Sequence, residues 1–152
     1  MFNNALIKNL LVLDISITLI VYGIIVVSHW FIFKKAGEKP WKALIPFYAL
    51  YTLHKMVWET ATFWISMGLL FGSLGLELIF ADHPAIVAML TVLEIFGLGL
   101  EVIESIKIAH SFGKGTAFGI FCFFLPFILL PVIAFGKAEY TGPEGEPIKE
   151  EL

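Results

Sequence analysis

Three glutamates, Glu94, Glu101 and Glu104, fall in one apolar stretch of the chain, and at about 100° per residue they share a helical face within about 80° of one another. Carboxylates in that arrangement can pass a proton or hold a cation. If hydrocarbon surrounds them, each ionised group costs roughly 2.5–3.5 kcal/mol, so each calls for a partner, water or a raised pKa. Glu94, nearest mid-depth, is the foremost candidate for a proton or cation site. Glu101 and Glu104 lie closer to the end of the stretch, where water, Lys107 or other lysines can reach them. Asp14 and Glu77 interrupt two other apolar stretches, and both are expected near the opposite surface, where they could line one polar pocket. Glu101-x-x-Glu104 is half of a di-metal helix motif, but no Glu-x-x-His pair accompanies it. His29, His54, His83 and His110 are spread over different expected depths, and no serine and lysine are spaced as a catalytic dyad. No metal ligand set, cofactor or catalytic residue is assigned.

The elements that must position these groups follow from composition. The chain has 152 residues, of which 59% are hydrophobic and 15% charged, with a mean hydropathy of +0.88. A bilayer is the expected solvent, because a span needs about 20 apolar residues to cross about 30 Å of hydrocarbon. Four windows approach that length, at residues 10–33, 60–80, 85–109 and 116–136. The fold class is therefore an all-α membrane protein, one bundle over residues 1–136 with four transmembrane helices and a polar tail at 137–152. The first window is too long for a signal-peptide core and reads as a retained helix. Cys122 is the single cysteine, which excludes an intramolecular disulfide. All ten basic residues are lysines, and no basic cluster lies beside exposed aromatics, so nucleic acid is not an expected partner.

Between the first and second windows lies Lys34–Trp58, which carries five of the lysines. Gly37 and Pro40 break the preceding helix, and residues 43–58 are apolar but too short to span. On a helical wheel Phe47, Tyr51, His54 and Trp58 share one side, with Pro46 in the first turn. This segment reads as an amphipathic helix that lies in the interface or re-enters the membrane, and with Trp41 it forms an aromatic surface for a partner or for neighbouring helices. In the second window Gly68 and Gly72 form a G-x-x-x-G, which suits close helix packing within the chain or against a second protomer. Lys34, Lys35, Lys39, Lys42 and Lys55, with Lys107 and Lys114, place the lysine-rich loops in the cytoplasm by the positive-inside rule. With four crossings both termini would face outward.

Two segments carry a resemblance, KAGEKPWKALIPFYALYTL at 35–53 and SFGKGTAFGIFCFFLPFILLPVIAFGKAEY at 111–140. They resemble a bacterial family of small multi-pass membrane proteins of unknown function, with the pattern K-A-G-x-x-W-x-x-x-I-P-x-Y and later F-G-K, L-P-F and F-G. Lys35, Ala36, Gly37, Trp41, Ile45, Pro46 and Tyr48 carry the first part. Phe112, Gly113, Lys114, Leu125, Pro126, Pro131, Phe135 and Gly136 carry the second. The sequence departs from the pattern at Ala49, where asparagine is usual, and in the acidity of its third window. The resemblance implies a helical bundle in the bacterial inner membrane and no particular activity.

Three function classes follow. The foremost expectation is an accessory or binding subunit of a larger membrane complex, with another membrane protein or a homo-oligomer as partner beside the lipid bilayer. The alternative is a proton- or cation-coupled transporter or channel that uses Glu94 and its neighbouring carboxylates. The third is an intramembrane metal enzyme.

Overall fold

The computed structural model describes residues 4–143 and, among them, the side chains from residue 6 onward. These residues fold into helices: α1 (Asn4–Lys35), a 3-10 helix (Pro40–Leu44), α2 (Pro46–Val57), α3 (Thr60–Phe80), α4 (Pro84–Ser111), α5 (Thr116–Phe124) and α6 (Pro126–Phe135). Three stretches, Leu6–Lys35, Thr60–Phe80 and Pro84–Ser111, are long and apolar enough to cross a membrane, and they match the first three expected windows. α1 is mostly apolar along residues 6–20, every one of them exposed, as suits a helix whose solvent is lipid.

The packed core lies at one end of the molecule. Ile32 and Phe33 of α1 meet Leu53 and Val57 of α2, Ile108 of α4, Phe112 beyond it and Ile133 of α6, all at most 5% exposed. Two helices deliver the chain to this end, and both stop in the same way. Gly37 (φ 75) follows α1 and Gly113 (φ 66) follows α4, left-handed positions that glycine occupies at little cost. At each cap the next residue reaches back five positions, Glu38 N–H to Phe33 O at 2.9 Å and Lys114 N–H to Ala109 O at 2.8 Å, so both ends are closed as Schellman motifs.

After each cap the chain folds back into the molecule and returns. In the first hairpin, the 3-10 helix runs back along α1, so that Leu44 lies beside Val27 and Trp30 and Pro46 beside Tyr22 and Ile25. Ile25 precedes the end of α1 by ten residues, about 15 Å along the helix axis. α2 then climbs back antiparallel to α3, with the Phe47 ring 5.9 Å from Phe71 and the Tyr51 ring 5.5 Å from Phe63. The apolar segment between α1 and α3 is thus a buried-faced hairpin with Pro46 at its tip.

The fourth expected window is not one long helix but a second hairpin. Residues 116–136 form two helices of nine and ten residues, each about 15 Å long and half of what a crossing requires. α5 packs along α4 and α6 along α1. Pro126 lacks the N–H that would continue α5, and Leu125 leaves helical geometry at φ −131 and ψ 54. The segment ends where it began. Lys35 Nζ donates to the carbonyls of Ile133, Gly136 and Ala138 at 2.7, 2.7 and 2.9 Å. Thr141 N–H donates to Ser111 O at 2.8 Å, and Tyr140 Oη–H to Met56 O at 2.6 Å. The described part of the polar tail, residues 137–143, therefore lies at the lysine-rich end rather than the opposite one; residues 144–152 fall outside the described residues.

Candidate functional site

Both hairpins and α1, α3 and α4 line a half-open cavity of about 320 Å³. Pro126 reaches it from the second hairpin, and Leu50, Leu53 and His54 from the first. α4 contributes Glu101, Glu104 and Ser105, α3 contributes Ser66, α1 contributes His29, and Cys122 of α5 completes the polar lining. The remaining wall is apolar, including Ile25, Ile108, Phe123 and Leu130.

His54 and Glu104 form the buried polar contact of this cavity, at 4% and 8% exposure. Nδ1 of His54 lies 2.8 Å from Glu104 Oε1 and 3.0 Å from Leu50 O. The two oxygens share the one Nδ1–H, and the contact with Glu104 Oε1 becomes an ion pair when the imidazole is protonated. Burial opposes charging of the imidazole, but the hydrogen bond and charge of Glu104 outweigh it, and the His54 pKa lies above its ordinary 6.5. Phe63 covers the ring edge-on at 5.7 Å.

A second cavity of about 270 Å³ continues between α3 and α4 toward their turn, lined by Ser66, Ser73, Glu94, Gly97 and Glu101 among others. The two cavities share Ser66, Leu70 and Glu101. Glu94 and Glu101 are exposed and Glu104 is buried, so the three carboxylates of α4 run from the α3/α4 groove into the core. On α3, Ser66, Ser73 and Glu77 follow at spacings of seven and four, which puts them on one helical face, the face from which both serines line this groove. Asp14 stands apart, on the exposed half of α1, a helix with no substantial packing on α3.

The aromatic side chains of the first hairpin make contacts within this chain, while Trp41 and Phe47 stay exposed. Phe47, Tyr51 and His54 contact α3, Trp58 lies under Lys107 Nζ at 4.8 Å, and Trp41 stacks near Tyr48 at 5.5 Å. Lys42 and Lys55 are held by Glu38, at 2.5 and 3.3 Å. The Lys42 hydrogen bond, followed by those with Lys55, keeps the Glu38 carboxyl below its ordinary range. Gly68 and Gly72 are exposed, with open space where a side chain would stand. The close helix approach falls elsewhere: a Cβ on Gly119 of α5 would meet Ile106 Cα of α4 at 2.5 Å. Among the described residues, no three His, Cys, Asp or Glu side chains converge as a metal-binding group.

Glu101, Glu104, His54 and His29 are each visible separately in the sequence, whereas Ser66 and Ser105 carry no distinguishing signal. The findable signal was the repeated order of a helix, a glycine cap and a hairpin tip, Ile45-Pro46-Phe47 after Gly37 and Leu125-Pro126-Phe127 after Gly113. Neither the curated proteins nor the solved structures contain a match to the chain. The model of a family of unknown function (DUF5684) matches residues 41–143, more than half of the 152 residues and a stretch that begins in the first hairpin and ends just past the second, and the chain belongs to that family.

Proposed function

We propose that the protein passes a proton or a cation across a bacterial inner membrane, along the polar seam between α3 and α4 and through the cavity that the two hairpins line. The observation that carries this reading is the sharing of Ser66 and Glu101 by two adjoining cavities, which links the His54–Glu104 pair to Glu94. Carboxylates at these depths are costly in hydrocarbon, roughly 2.5–3.5 kcal/mol each, and a line of them along one seam suits a path better than a packing surface.

In this reading α1, α3 and α4 cross the bilayer, and the hairpins at 36–58 and 116–136 enter it from the cytoplasmic side and leave on the same side. Lysines 34, 35, 39, 42, 55, 107, 114 and 137 then share the cytoplasmic face, which satisfies the positive-inside rule better than four crossings would. Pro46 and Pro126 at the two tips each border a cavity, where non-helical backbone is tolerated at depth. The N-terminus faces outward and the tail inward. Half-helices meeting at a central site are an arrangement that membrane transporters use.

Proteoliposomes carrying the purified protein and an internal pH-sensitive dye test this. Wild type is expected to dissipate an imposed proton, sodium or potassium gradient, and Glu94→Gln and Glu101→Gln each to slow that flux about tenfold or more while eluting as folded protein. Wild-type vesicles as tight as empty ones to all three ions would overturn it.

An accessory-subunit role is the second reading, and the exposed, largely apolar half of α1 favours it, since every residue from 6 to 20 is exposed. A co-purifying membrane protein that is lost when polar residues replace Leu13 and Ile17 would support it. A particle of this chain alone would count against it.

A further inference from the structure

The cavity is too large for the proton alone and too poor in ligands for a divalent ion. Its volume of about 320 Å³ equals about ten waters at about 30 Å³ each, and it reaches the range of small-molecule pockets, about 300–1,000 Å³. Its lining contains two carboxylates, Glu101 and Glu104, and no lysine. With His54 charged against Glu104, one negative charge remains, and with His54 neutral two remain. Glu104 is 8% exposed and lines the cavity, with its Oε1 held 2.8 Å from His54 Nδ1. Among the described residues no third ligand joins Glu104 and His54 around a metal position. The same cavity is lined by Ile25, Leu53, Phe123 and Leu130, which offer hydrocarbon and an aromatic ring.

We propose that the cavity binds a monovalent organic cation, an alkyl- or arylammonium, with its ammonium donating to Glu104 and Glu101 and its hydrocarbon body against Leu53, Phe123 and Leu130. This rests on the cation-path reading and names the cargo. The charge remaining beside His54 is matched by one positive charge, and the apolar wall replaces water around the body of the ligand. The ring of Phe123 adds a face that attracts cations.

Phenethylammonium chloride, titrated calorimetrically into the protein in mild detergent at neutral pH, tests the proposal, with 2-phenylethanol as the uncharged analogue of the same shape. Saturable binding of the amine is expected, with the alcohol weaker by about tenfold or more, the loss expected for an unmatched buried charge. Glu101→Gln and Glu104→Gln should each weaken the amine about tenfold or more, and Asp82→Asn, in the distant turn, should leave it unchanged. Glu101 is exposed, so its variant folds even where the Glu104 variant does not. Absence of saturable heat, equal binding of the alcohol, or full affinity in the Glu101 variant would each overturn the proposal. The flux assay separates the two readings. Proton or sodium flux without amine binding removes the organic cargo and leaves the path, and amine binding without flux of any ion removes the path and leaves the site.

Discussion

At the scale of residues the account turns on His54 and Glu104. Their contact links the first hairpin to α4, and its strength depends on the charge of an imidazole whose pKa is raised in the folded state. A raised folded pKa means that the pairing contributes stability fully below the unfolded value of about 6.5 and loses it as pH rises through the folded value. Thermal stability in detergent is therefore expected to fall between mildly acidic pH and pH above the folded pKa, and His54→Gln should flatten that slope. A wild-type profile that is flat or rises over this window would contradict the pairing. The sequence displays both residues, but 50 positions separate them, and no local pattern announces that a histidine on a helix between two spans will meet a glutamate near the end of a later one. Glu101 was legible because three glutamates of one helix share a face; Ser66 and Ser105 were not, because a serine in an apolar helix gives the same signal whether it lines a cavity or bonds its own backbone.

At the scale of elements, the second hairpin is fixed by contacts distant in sequence. The expected windows at 10–33, 60–80 and 85–109 correspond to α1, α3 and α4, since a long apolar run specifies a helix by itself. Twenty-one uncharged residues at 116–136 carry the same signal, and Pro126 reads as a kink as readily as a reversal. The difference lies in Lys35, whose ammonium takes up three carbonyls at the end of α6, and in Gly119, whose missing side chain lets α5 lie against the backbone of α4. Lys35→Met is expected to cost about 1–3 kcal/mol, the range for hydrogen bonds to a charged group, and to expose the chain after Gly136 to protease. Gly119→Ala should destabilise strongly, because backbone atoms at 2.5 and 3.0 Å stand where the new methyl must go, whereas Gly72→Ala should be neutral or mildly stabilising, with nothing within 4 Å and a better helix former in place. Comparable melting temperatures for Gly119→Ala and Gly72→Ala would refute the packing of α5 on α4.

At the scale of the whole molecule, two capped helices each lead into a hairpin with a Pro-Phe tip, and the cavity lies where those hairpins meet α3 and α4. The central claim is that the chain crosses three times and that both hairpins return to the lysine-rich side. Single cysteines introduced at Glu38, Asp82 and Glu139, in a chain whose Cys122 is replaced by serine, report it directly through labelling by a membrane-impermeant maleimide in right-side-out and inverted vesicles. Labelling at 38 and 139 from the same side, with 82 reached only from the other, is the predicted result. Labelling at 139 from the same side as 82 would restore a fourth crossing and remove the second hairpin from the cavity.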